Sequence, residues 1–308
     1  MYARVVAKFY AAVATKRCSI ACLGASRRAI HQSPSNRNDR DSERNTTHFG
    51  FQTVYEDEKE VKVAEVFHNV ANKYDLMNDA MSFGIHRLWK DTFVRQLNLQ
   101  SGLNIVDVGG GTGDISFRIL KYMNIRNSQR VKNSMDKNTQ ENIPNCAISV
   151  IDINQSMLDV GKTRGKELGY QGDIKWIKGD AENLPVKDSS ADLVTAAFAI
   201  RNVTNIRKAI SEAYRILTPG GRFSVLEFSH VTNPYLKSLY DTYSFEMIPV
   251  MGEIIAEDWK SYQYLVESIR QFPTQSEFAD MFKQAGFRFV RFQNLTFGTV
   301  AIHSGFKI

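Results

Sequence analysis

The chain has 308 residues, 43% hydrophobic and 23% charged, which is ordinary globular composition and long enough for one large domain with a closing subdomain. No run of 18 apolar residues predicts a membrane-spanning helix. The net charge is +6, but residues 1–38 contribute +7 with no acid, so residues 39–308 carry −1 and lack the basic surface of a nucleic-acid binder.

Residues 1–37 have the composition of a mitochondrial transit peptide, rich in Ala, Ser and Arg and amphipathic if helical. The run Arg28–Ser33 resembles a matrix-processing site, and a disordered basic tail is the alternative. Two of the three cysteines, Cys18 and Cys22, lie in this leader. Cys146 alone can form neither a disulfide nor a cysteine-based metal site, and we predict no metal site. Residues 38–47 are polar and predict a linker.

Residues 48–100 predict an N-terminal cap made of helices and not of sheet. Apolar residues recur at helical spacing from Glu58 to Tyr74, and a second helix is expected near His86 to Leu97.

From residue 104 onward, predicted strands alternate with predicted helices. The strands are Asn104–Val108, Ala147–Ile151, Ile174–Ile177, Leu193–Ala199 and Arg222–Phe228. The helices are Asp114–Tyr122, Gln155–Gly169 and Asn205–Leu217, and the run Thr218-Pro219-Gly220-Gly221 ends the last of them. This alternation favours an α/β fold with a parallel sheet covered by helices on both faces.

The C-terminal part differs from the alternating pattern. A helix over Gln275–Ala285 precedes two β-rich runs, Phe287–Leu295 and Thr299–Lys307, whose short connection requires antiparallel pairing. We therefore expect a seven-stranded, mostly parallel sheet that ends in a C-terminal antiparallel hairpin.

Two segments interrupt the alternation. Residues 124–145 are polar and predict a surface insertion. Residues 231–272 contain eight aromatic residues among 42, or 19% against 11% for the chain, and predict an aromatic lid over a substrate.

The turn after the first parallel strand, Val106–Asp114, contains glycines at 109, 111 and 113. A nicotinamide or flavin fingerprint needs a glycine at the sixth position, where this chain has Asp114. S-adenosylmethionine has no phosphate and carries cationic groups, so an acid at the end of the turn suits it better than a dinucleotide. Gly109, Gly111 and Gly113 are therefore predicted to approach S-adenosylmethionine.

Acids at strand ends support this ligand. Asp152 is placed to accept both ribose hydroxyls, and Asp180 with Ala181 is placed near the adenine. Asp107 either holds the turn or binds the methionine amine. For each acid alone, a solvated position in a loop or the capping of a helix explains the residue equally well. The order of the three acids along the chain favours a common ligand.

Two stretches carry a closer resemblance. Tyr74–Trp89 and Arg215–Ser229 resemble the signatures of the ubiquinone/menaquinone biosynthesis C-methyltransferases, and the second departs from the usual pattern at Ile216 and Thr218. The likeness runs from about residue 48 to 308, apart from the insertion. It implies a class I S-adenosylmethionine methyltransferase fold, and cofactor contacts from Thr112 as well as Asp152, Asp180 and Ala181.

The same resemblance implies methyl transfer to a ring carbon of a polyprenyl benzoquinol in ubiquinone biosynthesis. It also implies peripheral attachment to the matrix side of the mitochondrial inner membrane, and other ubiquinone-biosynthesis proteins as partners in a multi-subunit complex; a homodimer is left open. Two alternatives remain, namely a methyltransferase with another lipid or phenolic acceptor and a non-catalytic scaffold subunit.

Candidate catalytic residues follow from the acceptor chemistry, because a phenol carbon becomes nucleophilic when a neighbouring hydroxyl loses its proton. Arg201 and Asn202 follow the buried fourth strand and are expected near the transferred methyl group, where the arginine can stabilise a phenolate. His86 and His230 are candidate bases because histidine titrates near neutrality. Capping, ion pairing or packing is the alternative role for each of the four.

Overall fold

The computed structural model describes residues 45–70, 74–133 and 146–308. The predicted transit peptide and residues 38–44 of the predicted linker lie outside the described residues.

The N-terminal cap contains a hairpin that the sequence did not predict. Strands β1 (Thr46–Phe49) and β2 (Gln52–Tyr55) pair antiparallel, so β1 begins inside the predicted linker and the expectation of helices alone was wrong. Gly50 has φ +58° at the first central position of the two-residue turn, where such hairpins favour glycine. The Phe49 ring stacks on Tyr264 with 4.1 Å between centroids, which fixes the hairpin to the C-terminal half of the chain.

Three helices complete the cap. They are α1 (Glu56–Val70), α2 (Tyr74–Ser82) and α3 (Ile85–Gln96). Helix α1 begins two residues earlier than predicted, and α3 agrees with the prediction within a residue. Gly84 lies between α2 and α3 with φ +76°, which turns the chain sharply.

The seven-stranded main sheet confirms the predicted fold class. Its strands are β3 (Asn104–Val108), β4 (Ala147–Asp152), β5 (Ile174–Lys178), β6 (Ala191–Ala197), β7 (Leu217–Phe228), β8 (Arg288–Leu295) and β9 (Val300–Phe306). Their order is β5-β4-β3-β6-β7-β9-β8, with β9 antiparallel to both of its neighbours and the other pairs parallel. The strand order reverses between β3 and β6, so the ligand-binding crevice is expected at their carboxyl ends.

Helices cover both faces of the sheet and create two apolar cores. These helices are α4 (Asp114–Asn133), α5 (Gln155–Glu167), α6 (Ile206–Ile216) and α10 (Gln275–Gln284). Side chains of α3 and α4, such as Phe93 and Leu120, fill one core, and side chains of α6 and α10, such as Ile210 and Phe278, fill the other. A sheet buried between two helical layers is what the alternation of strands and helices predicted.

Two predicted boundaries were wrong. Helix α4 continues to Asn133, so the first part of the predicted insertion is helix, and residues 134–145 lie outside the described residues. Strand β7 begins at Leu217 and includes the run expected only to end a helix. The amide of Gly220 donates to the Lys307 carbonyl at 2.7 Å, and the Lys307 amide donates to Gly221 at 2.9 Å, so pairing with the C-terminus draws this turn into the sheet.

Most of the aromatic segment 231–272 is helical. It comprises α7 (Pro234–Thr242), a π-helical turn (Tyr243–Met247), α8 (Ile248–Met251), a second π-helical turn (Gly252–Ala256) and α9 (Trp259–Gln271). Pro249 has no amide hydrogen for the carbonyl four residues earlier, which explains why the regular ladder breaks there. Such π turns occur often at functional sites.

Within residues 45–70, 74–133 and 146–308, no helix combines the length and apolar character needed to cross a bilayer.

Candidate active site

The glycine turn lies at the carboxyl end of β3 and forms one wall of a cavity of about 330 Å³. Gly109 has φ +63°, and a Cβ added to it would lie 2.4 Å from the Cβ of Ala199. Gly111 has φ +51° and its amide donates to Asp152 Oδ2 at 2.9 Å. Glycine therefore lets the turn take a left-handed conformation and pack directly against Ala199, which fixes this wall of the cavity.

The structure brings most of the predicted cofactor residues to this one cavity. Gly109, Gly111, Thr112, Asp152, Asp180 and Ala181 all line it. Asp152 also accepts the Asn154 amide at 2.8 Å, and burial raises the pKa of its carboxyl group. Because carboxylate oxygens have further lone pairs, Asp152 can still accept hydroxyl donors from a ligand.

Two predicted cofactor residues do not line the cavity. Asp107 is fully buried beneath the turn and accepts hydrogen bonds from Ser116 and Thr195, each at 2.8 Å. Burial raises the pKa of Asp107 to about 6. Of the two roles predicted for Asp107, the geometry supports holding the turn. Gly113 packs against Trp176, where an added Cβ would lie 2.6 Å from the ring.

The charges on the cavity wall match the predicted cofactor. The ionisable residues that line it are Glu56, Asp57, Glu60, Lys90, Asp114, Asp152, Asp180 and Glu182. S-adenosylmethionine carries an ammonium and a sulfonium but a single carboxylate. A wall rich in acids with one lysine therefore fits that ligand and disfavours a polyphosphate.

A second cavity of about 50 Å³ lies between the cap and α9. Its wall includes three of the four predicted catalytic residues, Arg201, Asn202 and His86, together with Tyr264. Lys90, Asn202 and Phe198 line both cavities, so the two spaces share a boundary.

Arg201 is held by an ion pair with Glu227, and both side chains are buried. Arg201 Nη1 lies 2.9 Å from Glu227 Oε1 and also donates to the Phe198 carbonyl at 2.6 Å. Burial raises the pKa of Glu227, and the charge of Arg201 opposes that shift. The Nε atom of Arg201 is buried and has no partner among the described residues, so one donor of the guanidinium is available.

His86 lines the same cavity and is held by the carboxylate of Asp79. Its Nε2 lies 2.8 Å from Asp79 Oδ1, and Arg87 binds both oxygens of Asp79 at 2.7 Å. Burial lowers the pKa of His86 despite the opposing effect of Asp79. The Nδ1 atom is buried and unpartnered within the described part of the chain, which in the neutral ring leaves a lone pair available.

The structure does not support the prediction that His230 is a base. His230 lines neither cavity, and its Nε2 contacts the Phe272 carbonyl at 2.7 Å. Its own carbonyl accepts from Gln275, so this histidine joins the end of β7 to helix α10.

Sequence reasoning missed three residues of these sites. Lys90 follows His86 by four residues, so helical periodicity places it on the same face of α3. Asp79 lies within the first signature stretch, but its contact with His86 depends on the turn at Gly84. Glu227 is a lone acid in an apolar strand, which is itself a signal for a buried ion pair.

The fold and the larger cavity define the class: this is an S-adenosylmethionine-dependent methyltransferase with a class I α/β sheet. A methyltransferase from Thermotoga maritima, described as a possible histamine N-methyltransferase, shares the fold, with a TM-score of 0.52 and 19% identity. The likeness covers 80% of this chain and 100% of that chain.

The chain belongs to the ubiE/COQ5 methyltransferase family, whose sequence model matches residues 55–307. It is 54% identical to the mitochondrial 2-methoxy-6-polyprenyl-1,4-benzoquinol methylase of Danio rerio, over 87% of this chain and 86% of that protein. The human protein of the same name is 51% identical over 85% of this chain and 84% of its own length.

Replacing Gly109 with alanine is expected to weaken S-adenosylhomocysteine binding at least 10-fold. The added Cβ would lie 2.4 Å from Ala199, at a positive φ that alanine adopts poorly. The matched control is Gly169→Ala, which has φ +77° and nothing within 4 Å of the added Cβ. Isothermal titration calorimetry measures both variants, and equal affinities in the two would contradict the role of the turn.

Proposed function

We propose that this chain methylates a ring carbon of a polyprenyl benzoquinol, 2-methoxy-6-polyprenyl-1,4-benzoquinol, in ubiquinone biosynthesis. One structural observation supports the proposal independently of the relatives' names. His86 and Arg201 line the small cavity, and each has a buried ring or guanidinium nitrogen, Nδ1 and Nε, that has no partner among the described residues. Such a pair is complementary to a hydroxyl group that must lose its proton and then be stabilised as an oxyanion.

The cofactor supplies an electrophilic methyl group when bound, and the protein's residues prepare the acceptor. Neutral His86 takes the proton of the acceptor hydroxyl at Nδ1, while its Nε2–H donates to Asp79 and fixes the ring orientation. The resulting imidazolium is stabilised by the Asp79 carboxylate.

Arg201 donates from Nε to the phenolate oxygen, and Glu227 holds the guanidinium in place. Asn202 lines both cavities and accepts a hydrogen bond from Tyr264 at 3.1 Å, so it is positioned between acceptor and cofactor. The proton on the methylated ring carbon leaves afterwards to solvent, which restores the aromatic ring.

The acceptor cavity must enlarge before this reaction. A volume of about 50 Å³ holds a few water molecules but not a substituted benzoquinol ring. Residues of α9, including Tyr262 and Leu265, form one of its walls. We propose that the segment 231–272 acts as the predicted lid and opens by movement at the π turns beside Pro249.

We also propose that the protein binds the matrix face of the inner membrane peripherally, because relatives are named mitochondrial and a polyprenyl tail resides in lipid. The aliphatic side chains of the lid are not on the surface at its centre, since Ile248 and Val250 are buried and Met251, Ile254 and Ile255 are half-buried. The exposed apolar residues of the cap and lid include Leu76, Phe83, Leu88, Tyr235 and Leu239, with Phe83 80% and Tyr235 89% exposed.

This apolar patch adjoins the acceptor cavity. Leu76 lies on α2, Phe83 in the turn after it and Leu88 on α3, and the same two helices carry the cavity residues Met81 and His86. The Phe83 ring lies 6.2 Å from that of Tyr243, which follows Tyr235 and Leu239 at four-residue spacing in the lid. A tail leaving the cavity would therefore meet lipid at this surface.

Phe83→Ser combined with Leu88→Ser is expected to reduce binding to vesicles of phosphatidylcholine, phosphatidylethanolamine and cardiolipin at least 10-fold. Each side chain transferred into lipid contributes up to about 1.5–3 kcal/mol. Phe289→Ser with Phe292→Ser is the matched control, because both phenylalanines are exposed on the edge strand β8, Phe289 at 69% and Phe292 at 41%. Co-sedimentation compares the two double variants, and an equal loss in both would refute this choice of surface.

The experiment that tests the proposed function is an assay with methyl-labelled S-adenosylmethionine and a short-tail demethylated benzoquinol, analysed by mass spectrometry. We expect the label on a ring carbon. Label on oxygen, or transfer only to an unrelated phenol, would establish a different acceptor, and absence of cofactor binding would favour a scaffold subunit. The transit peptide stays a prediction from composition, the complex with other ubiquinone-biosynthesis proteins stays a prediction from the resemblance, and a homodimer stays open.

A further inference from the structure

We propose that Lys90 binds the carboxylate of the cofactor's methionine moiety. The inference concerns the cofactor half of the site and does not depend on the identity of the acceptor. Among the described residues that line the larger cavity, Lys90 is the single cation beside seven acids. A ligand carboxylate has no other positively charged side chain on that wall to pair with.

The position of Lys90 supports this assignment. Its side chain is buried on α3 and reaches the start of α4, where Nζ donates to Asp114 Oδ2 at 2.7 Å. That location adjoins Gly111 and Thr112, which line the same cavity. An ammonium has three N–H donors, and the one hydrogen bond recorded within the described residues leaves two for a ligand.

The charge of Lys90 is not fully neutralised by Asp114. Arg118 shares that carboxylate through Nε at 3.1 Å, and Arg118 also pairs with the exposed Asp91. Burial alone would raise the pKa of Asp114, but Lys90 and Arg118 together lower it, so the carboxylate is ionised between two cations. The amide groups at the start of α4 add a favourable field for an anion beside Lys90.

A second buried lysine provides a matched control. Lys59 on α1 is as buried as Lys90, but its Nζ donates to the Val203 carbonyl at 3.0 Å and it does not line the cavity. Replacing Lys59 therefore removes a comparable buried ammonium near the same site without removing a cation from its wall.

The test compares two ligands that differ only in the carboxylate: S-adenosylhomocysteine and its decarboxylated analogue, S-adenosyl-3-thiopropylamine. Calorimetry on the full-length chain measures both dissociation constants in wild type, Lys90→Met and Lys59→Met. We expect Lys90→Met to weaken S-adenosylhomocysteine about 10- to 100-fold and to leave the amine within about 3-fold. Lys59→Met is expected to change both ligands by the same factor.

Lys90→Met removes one of the two cations that pair with Asp114, which could disturb folding. A double variant controls for this effect. Lys90→Met with Asp114→Asn removes both charges of the pair and is expected to lose the same preference for the carboxylate ligand. Lys90→Arg is expected to retain most of that preference. If Lys90→Met and the double variant keep the wild-type ratio of the two dissociation constants, Lys90 does not bind the carboxylate. Acceptor methylation is not measured, so failure here is distinguishable from failure of the proposed acceptor.

Discussion

His86→Asn is expected to lower kcat for the benzoquinol acceptor about 10²- to 10⁴-fold, the range typical for loss of a general base. The dissociation constant of S-adenosylhomocysteine is expected to stay within about 2-fold, because His86 lines the acceptor cavity and not the cofactor cavity. Rapid-quench turnover with the short-tail acceptor and calorimetry with S-adenosylhomocysteine measure the two quantities. His230→Asn is the matched control, since that histidine lines neither cavity.

The pH profile separates a base from a packing residue. Only neutral His86 accepts a proton, and burial lowers its pKa below 6.5, so kcat/KM should rise with pH through a limb below 6.5 and be flat above pH 7. In Asp79→Asn the carboxylate that raises the pKa of His86 is lost, so the limb should move to lower pH while kcat falls. A profile unchanged in Asp79→Asn would show that the Asp79–His86 contact has no role in proton transfer.

Glu227→Ala is expected to destabilise the fold by about 3–5 kcal/mol, since it leaves the guanidinium of Arg201 buried without its counter-charge. Urea unfolding followed by circular dichroism measures this loss, and activity should fall with it because Arg201 loses its orientation. Glu212→Ala provides a control, because that glutamate pairs with the partly exposed Arg215 and a comparable loss is not expected.

A double variant distinguishes stability from catalysis at this pair. Arg201→Met with Glu227→Leu replaces both charges by apolar groups, which is often neutral for stability. We expect this protein to unfold near the wild-type urea concentration and to remain inactive toward the acceptor. Recovery of activity along with stability would mean that Arg201 serves the fold alone.

The pattern of apolar residues and glycines along the chain predicted most of the main sheet. The predicted boundaries of the main-sheet strands lie within two residues of the observed boundaries, except at the start of β7. The glycine turn with Asp152 and Asp180 predicted the cofactor cavity, because strand ends in a parallel sheet share one edge whatever the loops do. Strand-end position therefore predicted Gly109, Gly111, Asp152, Asp180 and Ala181 as cavity residues, and the family resemblance added Thr112.

The acceptor site depended on tertiary structure. His86 and His230 look alike in sequence, and only packing places one in a cavity and the other against the Phe272 carbonyl. Likewise, the short β1–β2 hairpin has too little apolar pattern to be recognised, and it is held by the stacking of Phe49 on the distant Tyr264.

The glycine turn and the order of strand-end acids thus settled the cofactor from sequence, because backbone conformation and strand direction are local properties. The partners of individual side chains, such as Asp79 with His86, Glu227 with Arg201 and Lys90 with Asp114, were decided only by the fold. The interactions of a buried charged side chain depend on the groups that pack against it. These groups come from segments that are far apart in the sequence or that a turn brings together.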